Sequence, residues 1–174
     1  MPTPVRTSYA EIVATGRDIL EESGPAGLTM QRVAEKVGVR APSLYKRVRD
    51  RDALVEAVAG ATVEDLTRRL EASDRSLEGL ARTYRALAHE RPEGFRLIFA
   101  AAAPQQLVDR AGLIMVDTAA GVAGEAHALD AARLVTAWAT GFIHMELAGA
   151  FRLGGDVDAA FEYGLAALRR GLGG

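Results

Sequence analysis

The sequence predicts an all-α chain, with a small N-terminal three-helix domain built on a helix-turn-helix and a larger C-terminal helical domain, divided as 8–70 and 71–174. Three observations lead there. The composition is alanine-rich with few β-branched runs, and 49% hydrophobic residues supply ample core. Apolar residues recur at helical period along most of the chain. Glycine and proline fall between the periodic stretches, where they cut the chain into helix-sized pieces.

The first helix is expected from about Ser8 to Ser23. Ser8 with Glu11 three residues on forms a capping-box pattern, Ile12, Val13, Ile19 and Leu20 mark the buried face, and Gly24-Pro25 ends it. Arg6 sits just ahead, where it could reach a phosphate or belong to a disordered arm. Next comes TMQRVAEKVGVRAPSLYKRVRDR, residues 29–51, which reads as two short helices joined by a tight turn. Thr29 caps the first, Val33, Ala34 and Val37 share one face, and Gly38 follows the last periodic residue, where a left-handed backbone costs glycine nothing. Val39 plugs the turn. Pro42 suits the first turn of the second helix, whose apolar face is Leu44, Tyr45 and Val48. A fourth helix runs from about Asp50, its cap, to Ala72, with Ala53, Leu54, Ala57, Val58, Ala61 and Leu66 as its stripe.

Beyond Ser73-Asp74 the second domain is expected. Its fifth helix carries Leu77, Leu80, Ala81, Tyr84 and Leu87, its sixth starts at Pro92, and its seventh opens at Pro104 and closes at Gly121 and Gly124. Two long closing helices follow, about Leu129–Leu153 and Asp156–Leu172, separated by Gly154-Gly155. Both carry small residues at close spacing. An interior glycine costs a helix about 1 kcal/mol relative to alanine, so Gly141 and Gly164 imply close backbone approach, within the chain or between subunits. With Ala148, Gly149, Ala160 and Ala167 they form the candidate homodimer interface, a four-helix bundle of two helices per protomer.

Charge singles out the helix-turn-helix. Arg32, Lys36, Arg40, Lys46, Arg47, Arg49 and Arg51 outnumber Glu35 and Asp50 there, on a chain whose net charge is −2. A local basic patch on an acidic protein is the electrostatic footprint expected for a phosphate backbone. The segment resembles the DNA-binding domain of tetracycline-repressor-like (TetR/AcrR) transcriptional regulators. The matching residues are Leu28-Thr29, Val33-Ala34 with Gly38-Val39, Ser43-Leu44-Tyr45, and Asp52-Ala53-Leu54. Many members have a histidine and an aromatic where this chain has Arg47 and Val48; Arg47 keeps a donor, while Val48 reduces aromatic packing. A weaker resemblance covers Trp138, Thr140-Gly141-Phe142, Glu146-Leu147-Ala148-Gly149 and Phe151, similar to a subgroup with a Trp and a His-Gly signature. Here Thr140 replaces that histidine, and His144 lies one turn later.

The resemblance implies a regulator, a repressor, that binds double-stranded DNA at a pseudo-palindromic operator and is released by a small hydrophobic or aromatic effector bound in a C-terminal ligand-binding and dimerisation domain. The fourth helix would link the two. Arg40, Ala41, Pro42, Ser43 and Tyr45 would lie at the major-groove face; Tyr45, Lys46, Arg47, Arg51 and the Thr29 end of the second helix would meet phosphates. Arg40 and Ser43 are the base readers, since arginine pairs bidentately with guanine. Candidate effector contacts are Tyr84, His89, Phe95, Phe99, Met115, Trp138, Phe142 and Met145. The alternative is a helical interaction or ligand-binding protein without sequence-specific DNA binding.

Other classes fit poorly. His89, His127 and His144 are scattered, no pair of them with a neighbouring carboxylate reaches the three or four ligands of a zinc site, and no phosphate-cradling loop or nucleophile motif is present. No catalysis, metal or cofactor is expected. The chain has no cysteine, so nothing asks for an oxidising compartment. Residues 134–151 approach membrane-spanning length, but His144 and Glu146 interrupt them, so no membrane partner is expected. The N-terminus lacks an apolar signal core, which points to the cytoplasm.

Overall fold

The computed structural model describes residues 7–100 and 103–173, all of whose regular structure is helical. Arg6 lies outside them. In order come α1 (Tyr9–Gly27), α2 (Met30–Lys36), α3 (Ala41–Tyr45), α4 (Arg51–Ala72), α5 (Leu77–Glu90), α6 (Pro92–Phe99), α7 (Gln105–Ala123), a 3₁₀ turn at Glu125–His127, α8 (Ala128–Leu147) and α9 (Val157–Leu172). The all-α class and the helix-turn-helix are as the periodicity predicts.

Local chemistry sets the ends. Ser8 Oγ accepts from the Glu11 amide at 3.1 Å while the Glu11 carboxylate accepts from the Ser8 amide at 3.3 Å, so two amides that no helical carbonyl could take are paired reciprocally. The helical conformation breaks at Gly24, and residues 25–27 add a further turn. Asp50 caps α4 through the Ala53 amide at 2.8 Å, and Asp156 caps α9 through the amides of Asp158 and Ala159. One end differs from expectation. α8 stops at Leu147 rather than Leu153, because Gly149 (φ +62°) turns left-handed and the Ala150 amide bonds back to the Met145 carbonyl at 2.9 Å. That bonding closes a helix end, so Gly149 is a terminator rather than a small residue in a helix interior.

The chain divides into two compact units. The first runs up to Asp65 and takes in Arg91–Leu107; the second comprises Leu66–Glu90 and the chain from Val108 on. Thus α6, which follows α5 in sequence and was expected in the C-terminal domain, packs on α1. The Glu21 carboxylate of α1 accepts from the Glu93 and Gly94 amides at 3.0 and 2.9 Å, capping α6 from across the interface, and Leu97 joins the core of α1, α2, α3 and α4. That core holds Ile12, Ile19, Leu20, Leu28, Val33, Leu44, Leu54 and Val58, each almost fully buried. The second unit's core is in parts: Leu66, Leu70, Leu80, Leu87 and Ile114 form one, and Phe161 and Leu165 with Ala81 another.

The turn between α2 and α3 depends on a left-handed glycine. Gly38 takes φ +74°, its amide bonds the Glu35 carbonyl at 3.2 Å, and the Val39 amide bonds the Ala34 carbonyl at 2.9 Å. Left-handed backbone costs a residue with a Cβ roughly 1–2 kcal/mol. Gly38→Ala is therefore expected to lower stability by about 1 kcal/mol in urea denaturation followed by circular dichroism, although a Cβ there would meet no atom within 4 Å; an unchanged midpoint would remove the turn from this account.

Candidate DNA-binding site and sensing unit

Within the first unit, α2 and α3 are held as a rigid pair by the Gly38 turn and by Val33, Ala34, Leu44 and Val48, all buried in the common core. Thr29 is the N-cap of α2, its Oγ1 accepting from the Arg32 amide at 3.2 Å. α3 is five residues long, with Arg40 at its N-cap position and Pro42 in its first turn. Burying Leu44 on one side leaves Arg40, Pro42, Ser43, Tyr45, Lys46 and Arg47 exposed on the other, with Ala41 half-buried. Tyr45, predicted to share the buried face, is 52% exposed.

The seven cations of this stretch are not equivalent. Lys36 and Arg32 lie 2.6 and 3.9 Å from Glu22, and Arg49 pairs with its neighbour Asp50 at 2.6 Å. Arg51 donates from Nε to the Leu28 carbonyl at 2.9 Å and from Nη2 to the Pro25 carbonyl at 2.5 Å, tying the start of α4 to the α1–α2 connection. Its guanidinium serves the fold first, which the sequence reading as a phosphate contact did not anticipate. The side chains of Arg40, Lys46 and Arg47 have no hydrogen bond or ion pair among the described residues. The unpaired positive charge is thus gathered at the two ends of α3, with Arg40 just before it and Lys46 and Arg47 just after.

The effector candidates fall into separate packing groups. Phe95 and Phe99 belong to the first unit, edge to face at 5.4 Å; they do not join the others. In the second unit, Tyr84 and Met115 pack on the leucine core of α4, α5 and α7. Tyr84 Oη lies 3.0 Å from Thr140 Oγ1, and burial pushes the phenol up to about 12 despite that opposing hydrogen bond. Trp138 and Phe142 pack with Phe161, the indole stacked at 5.1 Å. Met145 is exposed on α8, apart from these rings. His144 Nδ1 is 2.9 Å from the Thr140 carbonyl.

His89 belongs to a polar cluster that no local spacing could reveal, because its paired members are 57 to 80 residues apart. Arg85 on α5 holds both Glu146 oxygens, from Nε at 2.9 Å and also from Nη2, and reaches Asp158 at 2.6 Å, with its guanidinium 4.7 Å over the Phe161 ring. His89 Nε2 lies 3.1 Å from Glu146, and Arg82 pairs with Glu162 at 2.6 Å. Arg85 holds the Glu146 carboxyl below its ordinary range, with His89 adding to the effect and burial opposing it.

The small-residue candidates also separate. Gly141 is exposed with no atom within 4 Å of where its Cβ would stand, in line with exposed Leu134, Ala137 and Met145 on α8. Ala148 and Ala160 are exposed, and Ala167 is half-buried. Gly164 behaves otherwise: a Cβ there would lie 2.2 Å from the Trp138 ring. Its close approach within the chain is to the indole.

Comparison with known proteins now adds to this geometry. Residues 12–58 match the family described as bacterial regulatory proteins, tetR family, and residues 77–168 match the tetracyclin repressor-like C-terminal domain. The chain is 31% identical over 192 aligned positions, 92% of its length and 88% of the other, to the tetracycline repressor protein class A from transposon 1721 of Escherichia coli. It superposes with a TM-score of 0.81 and 25% identity on a Rhodococcus sp. RHA1 protein of unknown function, covering 99% of this chain and 100% of that one. A TetR variant from Acinetobacter baumannii AYE in complex with minocycline shares the fold at a TM-score of 0.71 and 23% identity, covering 95% and 96%.

The Glu146 cluster gives a pH-dependent prediction. A carboxyl whose folded pKa is depressed adds stability above its unfolded pKa and loses it as pH falls through the folded one. Glu146→Gln is expected to cost about 1–2 kcal/mol at neutral pH, and the gap from wild type should close as pH drops below the carboxylate range. Equal gaps at both ends of a denaturation series would contradict the pairing. Two matched domains, together spanning most of the chain, a full-length curated relative and a shared fold establish that this chain belongs to the tetR family of bacterial regulatory proteins, a non-catalytic family of DNA-binding regulators.

Proposed function

We propose that the chain acts as a homodimeric transcriptional repressor. Two copies of α3 would enter successive major grooves of a pseudo-palindromic operator, and a small hydrophobic or aromatic effector in the second unit would release them. The observation that carries this reading is the segregation of unpaired cations. Of the seven in the helix-turn-helix, those without an intrachain partner among the described residues (Arg40, Lys46 and Arg47) lie on or beside the exposed side of α3, where phosphate neutralisation and base contact are both within reach.

In this reading Arg40 and Ser43 touch base edges, with Ala41 and Pro42 against the groove floor, and Tyr45, Lys46, Arg47 and the Thr29 end of α2 touch phosphates. Arg51 acts through the α1–α2 connection that it ties down. Dimerisation would use the exposed stripe Leu134, Ala137, Gly141 and Met145 of α8 with Ala160 and Tyr163 of α9. Leu134, Met145 and Tyr163 are 50, 49 and 73% exposed in the single chain, a large apolar area to leave in water. For the effector, the aromatic group of Trp138 and Phe142 and the half-buried Tyr84 hydroxyl offer apolar walls with one polar anchor; the minocycline complex of a structural neighbour supports a ring-containing ligand. Release needs differential affinity: near-complete switching takes about 10⁴-fold between DNA-bound and free conformations.

Two experiments bear on this. On the DNA upstream of its own gene, Lys46→Ala should weaken binding to all sequences and reduce the slope of log affinity against log salt by about 0.9, whereas Arg40→Ala should cost about 1–3 kcal/mol and relax selectivity at one base pair. An unaltered salt slope for Lys46→Ala would refute its phosphate contact. By sedimentation, Met145→Lys should convert dimer to monomer, since the charge would be buried across the pairing face; an intact dimer would move the interface elsewhere.

A further inference from the structure

Two neighbouring glutamates near the end of α1 serve different partners. Glu21 caps α6 through the Glu93 and Gly94 amides, which makes it part of the fold. Glu22 turns to α2 instead. Its Oε1 lies 2.6 Å from Lys36 Nζ and its Oε2 3.9 Å from Arg32 Nη2, so one carboxylate spans two cations a helical turn apart. The side chains of Arg32 and Lys36 have no other hydrogen bond or ion pair among the described residues. All three groups are between 43 and 52% exposed, and ion pairs open to water add little stability. Glu22 therefore contributes little to holding α1 and α2 together.

Charge at this place bears on the proposed DNA contact. In a helix-turn-helix the first helix crosses the nucleic-acid backbone while the second enters the groove. Here α2 is the first helix: Met30, Val33 and Ala34 are buried in the core, and Arg32 and Lys36 are exposed. Arg32 stands in its first turn, with its amide held by Thr29 Oγ1 at 3.2 Å, at the end proposed to meet phosphates. With Glu22 set against them, the two cations present one net positive charge rather than two.

We propose that Glu22 is an autoinhibitory carboxylate, which occupies Arg32 and Lys36 in place of a DNA phosphate and so lowers the sequence-independent affinity of the first unit. The inference rests on the DNA reading given under the proposed function. Phosphate contacts hold a protein to any duplex, whatever its sequence. A built-in competitor for two of those contacts leaves a larger share of the binding to Arg40 and Ser43, the residues assigned to base edges, where sequence is read.

The test uses the full chain and a short fluorescein-labelled duplex of mixed sequence, with anisotropy read from about 50 to about 200 mM salt. Glu22→Gln should bind more tightly than wild type at the lower salt and steepen the slope of log affinity against log salt by about 0.9. Its advantage should therefore shrink about 3.5-fold over that range. Adding Lys36→Ala to Glu22→Gln should return the slope to the wild-type value. Glu64 is exposed and unpaired among the described residues, and lies roughly 20 Å along α4 from Arg51, beyond the screening length of about 8 Å. Glu64→Gln removes the same charge and should leave the slope unchanged. If Glu22→Gln does not fold, Glu22→Ala carries the same expectation. An unaltered slope for Glu22→Gln, while Lys46→Ala still reduces it, would overturn this inference alone. Equal steepening by Glu64→Gln, or a slope that stays steep in the double variant, would overturn it too. Wild-type binding indifferent to salt would sink the DNA reading and this inference together.

Discussion

A five-residue helix has no stability of its own, since nucleating a helix costs more than its first hydrogen bonds return. The position of α3 therefore depends on what holds it from outside. Two things do. The left-handed turn at Gly38 closes α2 through the Val39 amide and the Ala34 carbonyl, fixing where the chain leaves α2. Leu44 and Val48 then bury into the same core as Val33 and Ala34, fixing which side of α3 faces out. Arg51 adds a third tie, from the first turn of α4 to the carbonyls of Pro25 and Leu28.

This arrangement explains why positive charge is available where it is. A cation already paired must give up its partner before meeting a phosphate, so its contribution to binding is discounted. Glu22 on α1 holds Arg32 and Lys36, and Asp50 holds Arg49, which leaves Arg40, Lys46 and Arg47 uncommitted among the described residues. The charge excess counted in the sequence includes these paired cations, and only the structure separates them from the unpaired ones.

What was legible in the sequence was what local chemistry decides. The Ser8–Glu11 capping box, the Gly38 turn, Pro42 in the first turn of α3 and the Asp50 and Asp156 caps each involve residues within a few positions of one another. Long-range packing was not legible. Nothing in Pro92–Phe99 announces that Glu21, some seventy residues earlier, caps that helix, nor that Phe95 and Phe99 belong to a different unit from Tyr84 and Trp138. Gly164 shows the same limit: its spacing called for close approach, but only the structure identifies the indole of Trp138 as what approaches. Gly149 stood in a periodic stretch and yet ends α8, because backbone turning outweighed the apolar pattern beyond it.

The central claim is that the exposed side of α3 reads DNA as one of a pair. Footprinting of the wild-type protein on the DNA upstream of its own gene, at about 50 and about 200 mM salt, tests it most directly. The account predicts one protected pseudo-palindrome whose half-sites are centred about 10 base pairs or a multiple apart, with occupancy falling steeply at the higher salt. A protein that protects no discrete site, or protects one indifferently to salt, would contradict it.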